Sequence, residues 1–137
     1  MTDKTIYITE EDRIKLKKLV TYSGGYRFFD KKTLGELKIE IERAKVIKNK
    51  ESIDGIITMN SKVRLKDLDS GLEFTYTLVY PDKANISENR ISILAPIGTA
   101  ILGYKTGEII EWIVPAGKRR LEVIEVMHPE LSEQDNN

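Results

Sequence analysis

The spacing of apolar residues changes once along this chain, and that change limits the folds the chain can adopt. Leu34, Leu37, Ile41 and Ala44 recur at intervals of three and four residues, which is the period of one helix face. From about residue 54 onward, apolar and polar residues alternate, which is the period of a strand. The sequence therefore predicts an α+β protein in which a helical segment precedes a sheet.

Two helices are predicted in the first 50 residues. Thr9 precedes three acidic residues, a pattern typical of an N-cap and a first helical turn, so we expect a helix over 10–22. The sequence SGG at 23–25 ends it, and Asp30 can cap a second helix over 31–48. Because two heptads are too few for an independent coiled coil, this short hairpin is expected to pack on the rest of the chain.

The second part of the chain is predicted to form five or six strands joined by short turns, and hence antiparallel hairpins. The strand segments are GIITM, SKVRLKDL, EFTYTLVYP, ISILA, IIEWIVP and RRLEVIEVM. Between the fourth and fifth segments, Pro96 can begin a short helix, and Gly103 and Gly107 can end it. We expect this helix to cover one face of the sheet and to bury Ile101 together with Leu78 and Trp112. The apolar face of the helix is expected to comprise Ile97, Ala100, Ile101 and Leu102.

The composition excludes several classes of function. The chain has no cysteine, which removes disulfides, thiol catalysis and cysteine-based metal sites and fits a cytoplasmic location. No apolar run approaches the ~20 residues of a membrane span, and the first residues do not resemble a signal peptide. His128 is the one histidine, and neither a nucleophile motif nor a phosphate-binding loop accompanies it. We therefore expect no catalytic residue, no metal, no cofactor and no membrane partner, and the chain is not expected to be an enzyme.

The paired carboxylates have structural interpretations. Asp67 and Asp69 flank a glycine turn and are expected to stabilise that turn rather than to bind a metal. Glu36 and Glu40 lie one helical turn apart and are expected on a solvated helix face. Asp30 is interpreted as a helix cap. The alternative for Asp30 is that it presents a carboxylate to a Mg²⁺ ion held by another protein.

Charge and aromatic residues single out the predicted hairpin. Residues 1–50 hold 13 Lys and Arg against 8 Asp and Glu, whereas residues 51–137 hold 9 against 14. This asymmetry is typical of a partner-facing arm, although ordinary solvation of charged helices also produces it. The hairpin tip is rich in aromatic residues, which either fold back on the hairpin or form a contact surface. The tip consists of Tyr26, Arg27, Phe28, Phe29 and Asp30.

Three segments resemble the C-terminal domain of the Gre transcript-cleavage factors, the GreA/GreB family. They are TMNSKVRLKDLDSG, LVYPDKAN and ISILAPIGTAILGYKTGEIIEWIVPAGKRRLEVIEV. The similarity covers residues 55–127 in detail and residues 1–50 by architecture, and the short hairpin is most similar to the Rnk type, the so-called regulator of nucleoside diphosphate kinase. We therefore expect an arm over 1–50, a Gre-type domain over 51–130 and a tail over 131–137.

This resemblance implies a fold and a partner. The Gre-type domain would be an FKBP-like antiparallel sheet with one short helix, and it would dock on RNA polymerase at the rim of the secondary channel. In the Gre family a long coiled coil then reaches down the channel, where its acidic tip helps to hold the catalytic metal. The residues that match the loop near the polymerase contact are Leu94, Ala95, Pro96, Ile97 and Gly98.

The hairpin departs from the Gre pattern in two ways. Where the Gre tip carries an Asp and a Glu in a D-L-S-E-N-like run, this chain has SGGYRFFDKK, in which Asp30 is the single carboxylate. Positive neighbours repel Mg²⁺, and helices of roughly 13 to 18 residues span only roughly 20–27 Å. The expected protein is therefore a monomer that binds RNA polymerase, contacts nucleic acid only through the polymerase complex, and competes with Gre factors without strongly stimulating cleavage.

Three alternatives stay open from the sequence. The chain could be an active Gre-like elongation factor that stimulates cleavage through Asp30. The basic hairpin could bind nucleic acid directly, which would give a steep dependence of affinity on salt. A prolyl isomerase would need an open aromatic pocket, whereas Trp112 lies on a predicted strand after the helix.

Overall fold

The computed structural model of the protein describes residues 5–22, 31–47, 53–114 and 117–129. Its helices and strands, in chain order, are β1 (Tyr7–Thr9), α1 (Glu10–Tyr22), α2 (Lys31–Arg43), β2 (Lys45–Ile47), β3 (Lys62–Asp67), β4 (Glu73–Val79), β5 (Arg90–Ser92), α3 (Pro96–Ile101), β6 (Ile109–Val114) and β7 (Gly117–Met127). The predicted α+β class is confirmed. The hairpin tip from Tyr26 to Asp30 and the predicted Asp30 cap lie outside the described residues.

Helix α1 has the predicted bounds, and local chemistry explains its start. The backbone N–H of Asp12 donates to Thr9 Oγ1 at 3.0 Å, so Thr9 is the N-cap. Glu10, Glu11 and Asp12 occupy the first turn, where the helix dipole favours negative charge. In helix α2, Leu37 and Ile41 are buried, as the apolar spacing predicted.

Helix α2 ends at Arg43, so its predicted extension to residue 48 is wrong. Residues 45–47 instead form β2, which pairs in parallel with β1, and Lys45 N–H donates to the Ile6 carbonyl at 2.9 Å. Ile8 in β1 and Ile6 just before it are buried, and unpaired backbone groups there would be costly. Leaving the helix after Arg43 supplies those groups with partners.

The larger sheet has five strands in the order β5-β4-β3-β7-β6. Three of its strand pairs are antiparallel as predicted, but β4 and β5 are parallel. The connection between them contains two 3-10 turns, and Asn89 ends the second with a positive φ of 60°. These turns return the chain to a position beside Thr77, before the end of β4, so β5 can run in the same direction as β4.

The segment GIITM is not a strand, contrary to the prediction. Ile56 makes an isolated bridge to Lys105, and the N–H of Ile57 donates to the Tyr104 carbonyl at 2.9 Å. Beyond this point Thr58 to Ser61 form a tight turn in which the two hydroxyl oxygens lie 2.9 Å apart. The apolar residues of this segment are buried in the core, but an irregular backbone positions them.

Helix α3 begins at Pro96 and lies close to the sheet. Ile101 and Leu78 are fully buried, as predicted, whereas Trp112 is only partly buried at the edge of the core. The buried face of α3 differs from the prediction. Gly98 and Thr99 are also buried, whereas Ile97 is partly exposed. No helix in the described part of the chain is long and apolar enough to span a membrane.

Candidate functional site

The loop that leads into α3 has a shape fixed by hydrogen bonds to Ser92. The N–H of Leu94 donates to Ser92 Oγ at 2.9 Å, and the N–H of Ala95 donates to the Ser92 carbonyl at 2.9 Å. On the helix side, Thr99 Oγ1 donates to the Ile93 carbonyl at 2.6 Å. These bonds within the chain define the shape of the loop.

The five predicted contact residues of this loop, Leu94 to Gly98, differ in accessibility. Leu94 is only 8% exposed, and a Cβ at Gly98 would overlap the Ser92 carbonyl oxygen. Pro96 is exposed, and Ala95 and Ile97 are half-buried on either side of it. A partner can therefore contact Pro96 and the edges of its neighbours, while Leu94 and Gly98 shape the loop from inside.

A second cluster joins helix α1 to the sheet through Asp12. Its Oδ2 accepts the N–H of Met59 at 3.1 Å, and its Oδ1 accepts the hydroxyl of Tyr80 at 3.3 Å. Burial raises the pKa of Asp12, although the bonds from Met59, Thr9 and Tyr80 oppose that shift. Burial and the adjacent Asp12 charge raise the pKa of Tyr80 as well, so its hydroxyl stays a donor. The sequence marks Asp12 only as one of three first-turn acids.

Replacing Asp12 with alanine is expected to lower the free energy of unfolding by about 1–3 kcal/mol, because two donors lose their acceptor.

Replacing Asp12 with asparagine would keep one acceptor oxygen and remove the charge. Since the folded-state pKa of Asp12 is raised, its contribution to stability is largest at low pH and falls as pH rises through the ordinary and then the folded value. Chemical denaturation from about pH 4 to about pH 7 should therefore show D12N gaining stability relative to the wild type. A constant difference across that range would contradict this assignment.

The start of the hairpin also packs on the turn that follows α3. The N–H of Tyr7 donates to the Gly103 carbonyl at 3.3 Å, and a Cβ at Gly103 would lie 2.6 Å from the Ile6 Cβ. Gly103 has a φ of +85°, which only glycine adopts readily. Lys105 Nζ lies 4.4 Å from the centre of the Tyr7 ring, within the range of a cation–π contact. The loop before α3 and the segment around β1 are thus connected through α3.

The carboxylates between β3 and β4 have the predicted structural role. Asp67 Oδ1 accepts the N–H of Asp69 at 2.8 Å and that of Ser70 at 3.2 Å. The ion pair and hydrogen bond with Arg119 hold the pKa of Asp67 below its ordinary value. Within the described ranges, no group of three His, Asp or Glu residues is placed to hold a metal.

The comparison with known families identifies this fold. The model for the C-terminal domain of the GreA/GreB transcription elongation factors matches residues 52–128. This chain belongs to the GreA/GreB family. The regulator of nucleoside diphosphate kinase of Escherichia coli (strain K12) is 38% identical over 91 residues, which cover 66% of this chain and 67% of that protein.

Other relatives carry the GreA/GreB names directly. Transcription elongation factor GreA of Orientia tsutsugamushi (strain Boryong) is 35% identical over 97 residues, covering 71% of this chain and 61% of that protein. The solved structure of a prokaryotic GreA/GreB elongation factor from Nitrosomonas europaea has a TM-score of 0.73 and 36% identity, covering 92% of this chain and 100% of that one. The similarity to that structure therefore extends over nearly all of this GreA/GreB-family chain.

The region of this GreA/GreB-family chain that matches the family model contains the loop around Pro96, and it also contains Met59 and Tyr80. It does not contain α1, so the Asp12 bonds join the matched domain to the hairpin. The remaining candidates from the sequence have structural roles: His128 Nε2 donates to the Ile56 carbonyl at 2.8 Å, and Glu40 pairs with Arg43 at 2.8 Å.

Proposed function

We propose that this protein is an RNA polymerase-binding transcription regulator that docks at the rim of the secondary channel and competes with Gre cleavage factors. Residues 51–130, with the FKBP-like sheet, would supply the docking domain, and residues 1–50 the arm. The observation that supports this most is the exposed Pro96 on a loop held rigid by Ser92, inside the region that matches the GreA/GreB model.

The dimensions of the arm support a factor that docks without strongly stimulating cleavage. Helices α1 and α2 have 13 residues each, and 13 residues of helix extend about 20 Å. Between them the sequence contains Asp30 as its one carboxylate, followed by Lys31 and Lys32. Such a charge pattern opposes Mg²⁺ binding, whereas Mg²⁺ sites draw on carboxylates. The protein would act as a monomer and meet nucleic acid only within the polymerase complex.

Replacing Pro96 with asparagine is expected to weaken binding to core RNA polymerase at least about tenfold, which corresponds to about 1.4 kcal/mol. Pro96 is exposed, so the fold should stay intact while the apolar contact is lost. The affinity is measured by titrating labelled protein with core polymerase. Pro129→Asn is the matched control, because Pro129 is also exposed but follows β7 and is not one of the loop residues 94–98. Equal affinities for wild type and P96N would remove the loop from the proposed interface.

A further inference from the structure

A groove separates helix α1 from the segment that follows β4. It has a volume of about 570 Å³ and is open to solvent. Its lining comprises Lys15, Lys18, Leu19, Asn60, Tyr80, Pro81, Asp82 and Lys83. The proposed function assigns no role to this groove, although one of its walls, helix α1, belongs to the proposed arm.

The lining combines an apolar floor with a basic rim. Leu19, Tyr80 and Pro81 are half-buried and provide carbon surface, while three lysines and one aspartate provide the charged groups. Lys15 Nζ is paired with Glu11 at 3.0 Å. Lys18 and Lys83 are exposed, and neither side-chain ammonium group forms an ion pair or hydrogen bond with any residue in the described ranges. The groove therefore offers two cations that are available to a ligand.

The walls of the groove are held together before any ligand binds. Asp12 lies on the same helix as Lys15 and Lys18, and it accepts the hydroxyl of Tyr80 on the opposite wall. Its second oxygen accepts the N–H of Met59, next to the lining residue Asn60. A preformed site loses less conformational entropy on binding than one that must be assembled.

The groove lies at the same end of the sheet as the loop around Pro96. Strands β4 and β5 are parallel, so the segment beginning at Tyr80 and the loop beginning at Ile93 both leave from the carboxyl ends of adjacent strands. The N–H of Ile93 donates to the Val79 carbonyl at 2.9 Å, which places the two exits side by side. A partner that contacts Pro96 therefore lies at the end of the sheet where the segment lining the groove also begins.

We propose that this groove binds an acidic segment of RNA polymerase. One apolar side chain of that segment would contact Leu19 and Pro81, and its carboxylates would pair with Lys18 and Lys83. Arginine, which binds phosphate through two parallel hydrogen bonds, is absent from the lining, and the apolar floor suits a peptide side chain. This inference rests on the proposed function, because it names a second contact with the same partner.

The test compares two double charge reversals in the full chain. K18E/K83E is expected to weaken binding to core RNA polymerase at least about tenfold at low salt, with a smaller difference at high salt because the attraction is screened. K62E/K118E changes the net charge by the same amount at exposed positions outside both the lining and the proposed arm, and its affinity should stay within about twofold of the wild type. Thermal unfolding of each variant checks that the fold is retained.

The outcomes separate this inference from the proposed function. If the wild type binds polymerase and P96N weakens binding while K18E/K83E does not, the groove inference is overturned and the docking proposal stands. If the wild type does not bind, the proposed function fails and the groove inference fails with it. A photo-crosslinking residue at position 83 should label an acidic polymerase peptide, and an adduct with RNA or DNA instead would contradict the assignment.

Discussion

Replacing Ile101 with alanine is expected to lower the free energy of unfolding by about 2–5 kcal/mol, the usual range for truncating a large core residue. Ile101 is 0% exposed and lies on α3, which has only six residues. A helix of that length is not stable in isolation, so its packing against the sheet must hold it. Urea denaturation of wild type and I101A measures the difference through the transition midpoint.

Ile86→Ala provides the matched control, because the same atoms are removed from a side chain that is 79% exposed. Its effect should be at most about 0.5 kcal/mol, as for other surface substitutions. Ile101→Val, which removes one methylene, should cost about 0.5–1.5 kcal/mol. If I101A were no more destabilised than I86A, α3 would not be packed as the structure shows.

Local signals predicted the helices best. The bounds of α1 follow from a Thr9 cap and an acidic first turn, both of which lie within a few residues of the helix start. The start of α3 follows from Pro96, whose missing N–H is unneeded at a first helical position. In each case the chemistry that sets the boundary is contained in the segment itself.

The predicted elements were wrong where residues far away in the sequence determine the backbone structure. Residues 45–47 form a strand and do not continue the helix, because their backbone groups pair with those of β1, almost 40 positions earlier. The GIITM segment has an apolar composition that suits a strand, but its backbone partners come from the turn after α3, through Gly103, Tyr104 and Lys105. The spacing of apolar residues within a short stretch of sequence carries no information about such distant contacts.

The proposed contact loop could be located from the sequence, but its role as a contact stays a prediction. The resemblance placed the loop at residues 94–98, but only the three-dimensional contacts separate the exposed Pro96 from the buried Leu94 and Gly98. The sequence does not distinguish Asp12 from Glu10 and Glu11, because all three are acidic and lie in the same helical turn. Its role depends on Tyr80, which is 68 positions away in the sequence.

Cleavage stimulated by a Gre factor is expected to fall as this protein is added, and the inhibition should saturate. The physical reason is occupancy, because two factors that dock at one rim of the polymerase exclude each other. Excess Gre factor should reverse the effect, since competition depends on the ratio of concentration to Kd for each protein. The measurement is the rate of transcript shortening in a backtracked elongation complex at a fixed Gre concentration.

Two variants check that inhibition comes from docking. P96N should require at least about tenfold more protein for the same inhibition, in line with its weaker binding. D30N should inhibit as well as the wild type, because occupancy of the rim does not depend on a carboxylate at the tip. Inhibition that persists in excess Gre factor would show that the two proteins do not share a site.

Transcript cleavage by a polymerase that has this protein bound is the measurement that separates docking from stimulation of cleavage. A stalled, backtracked elongation complex is incubated with this protein alone at a concentration that saturates binding, with a Gre factor in a parallel reaction. The transcript is expected to stay at its original length with this protein and to be shortened with the Gre factor. Robust cleavage by this protein alone, abolished by Asp30→Asn, would contradict the account and identify Asp30 as a ligand of the catalytic metal.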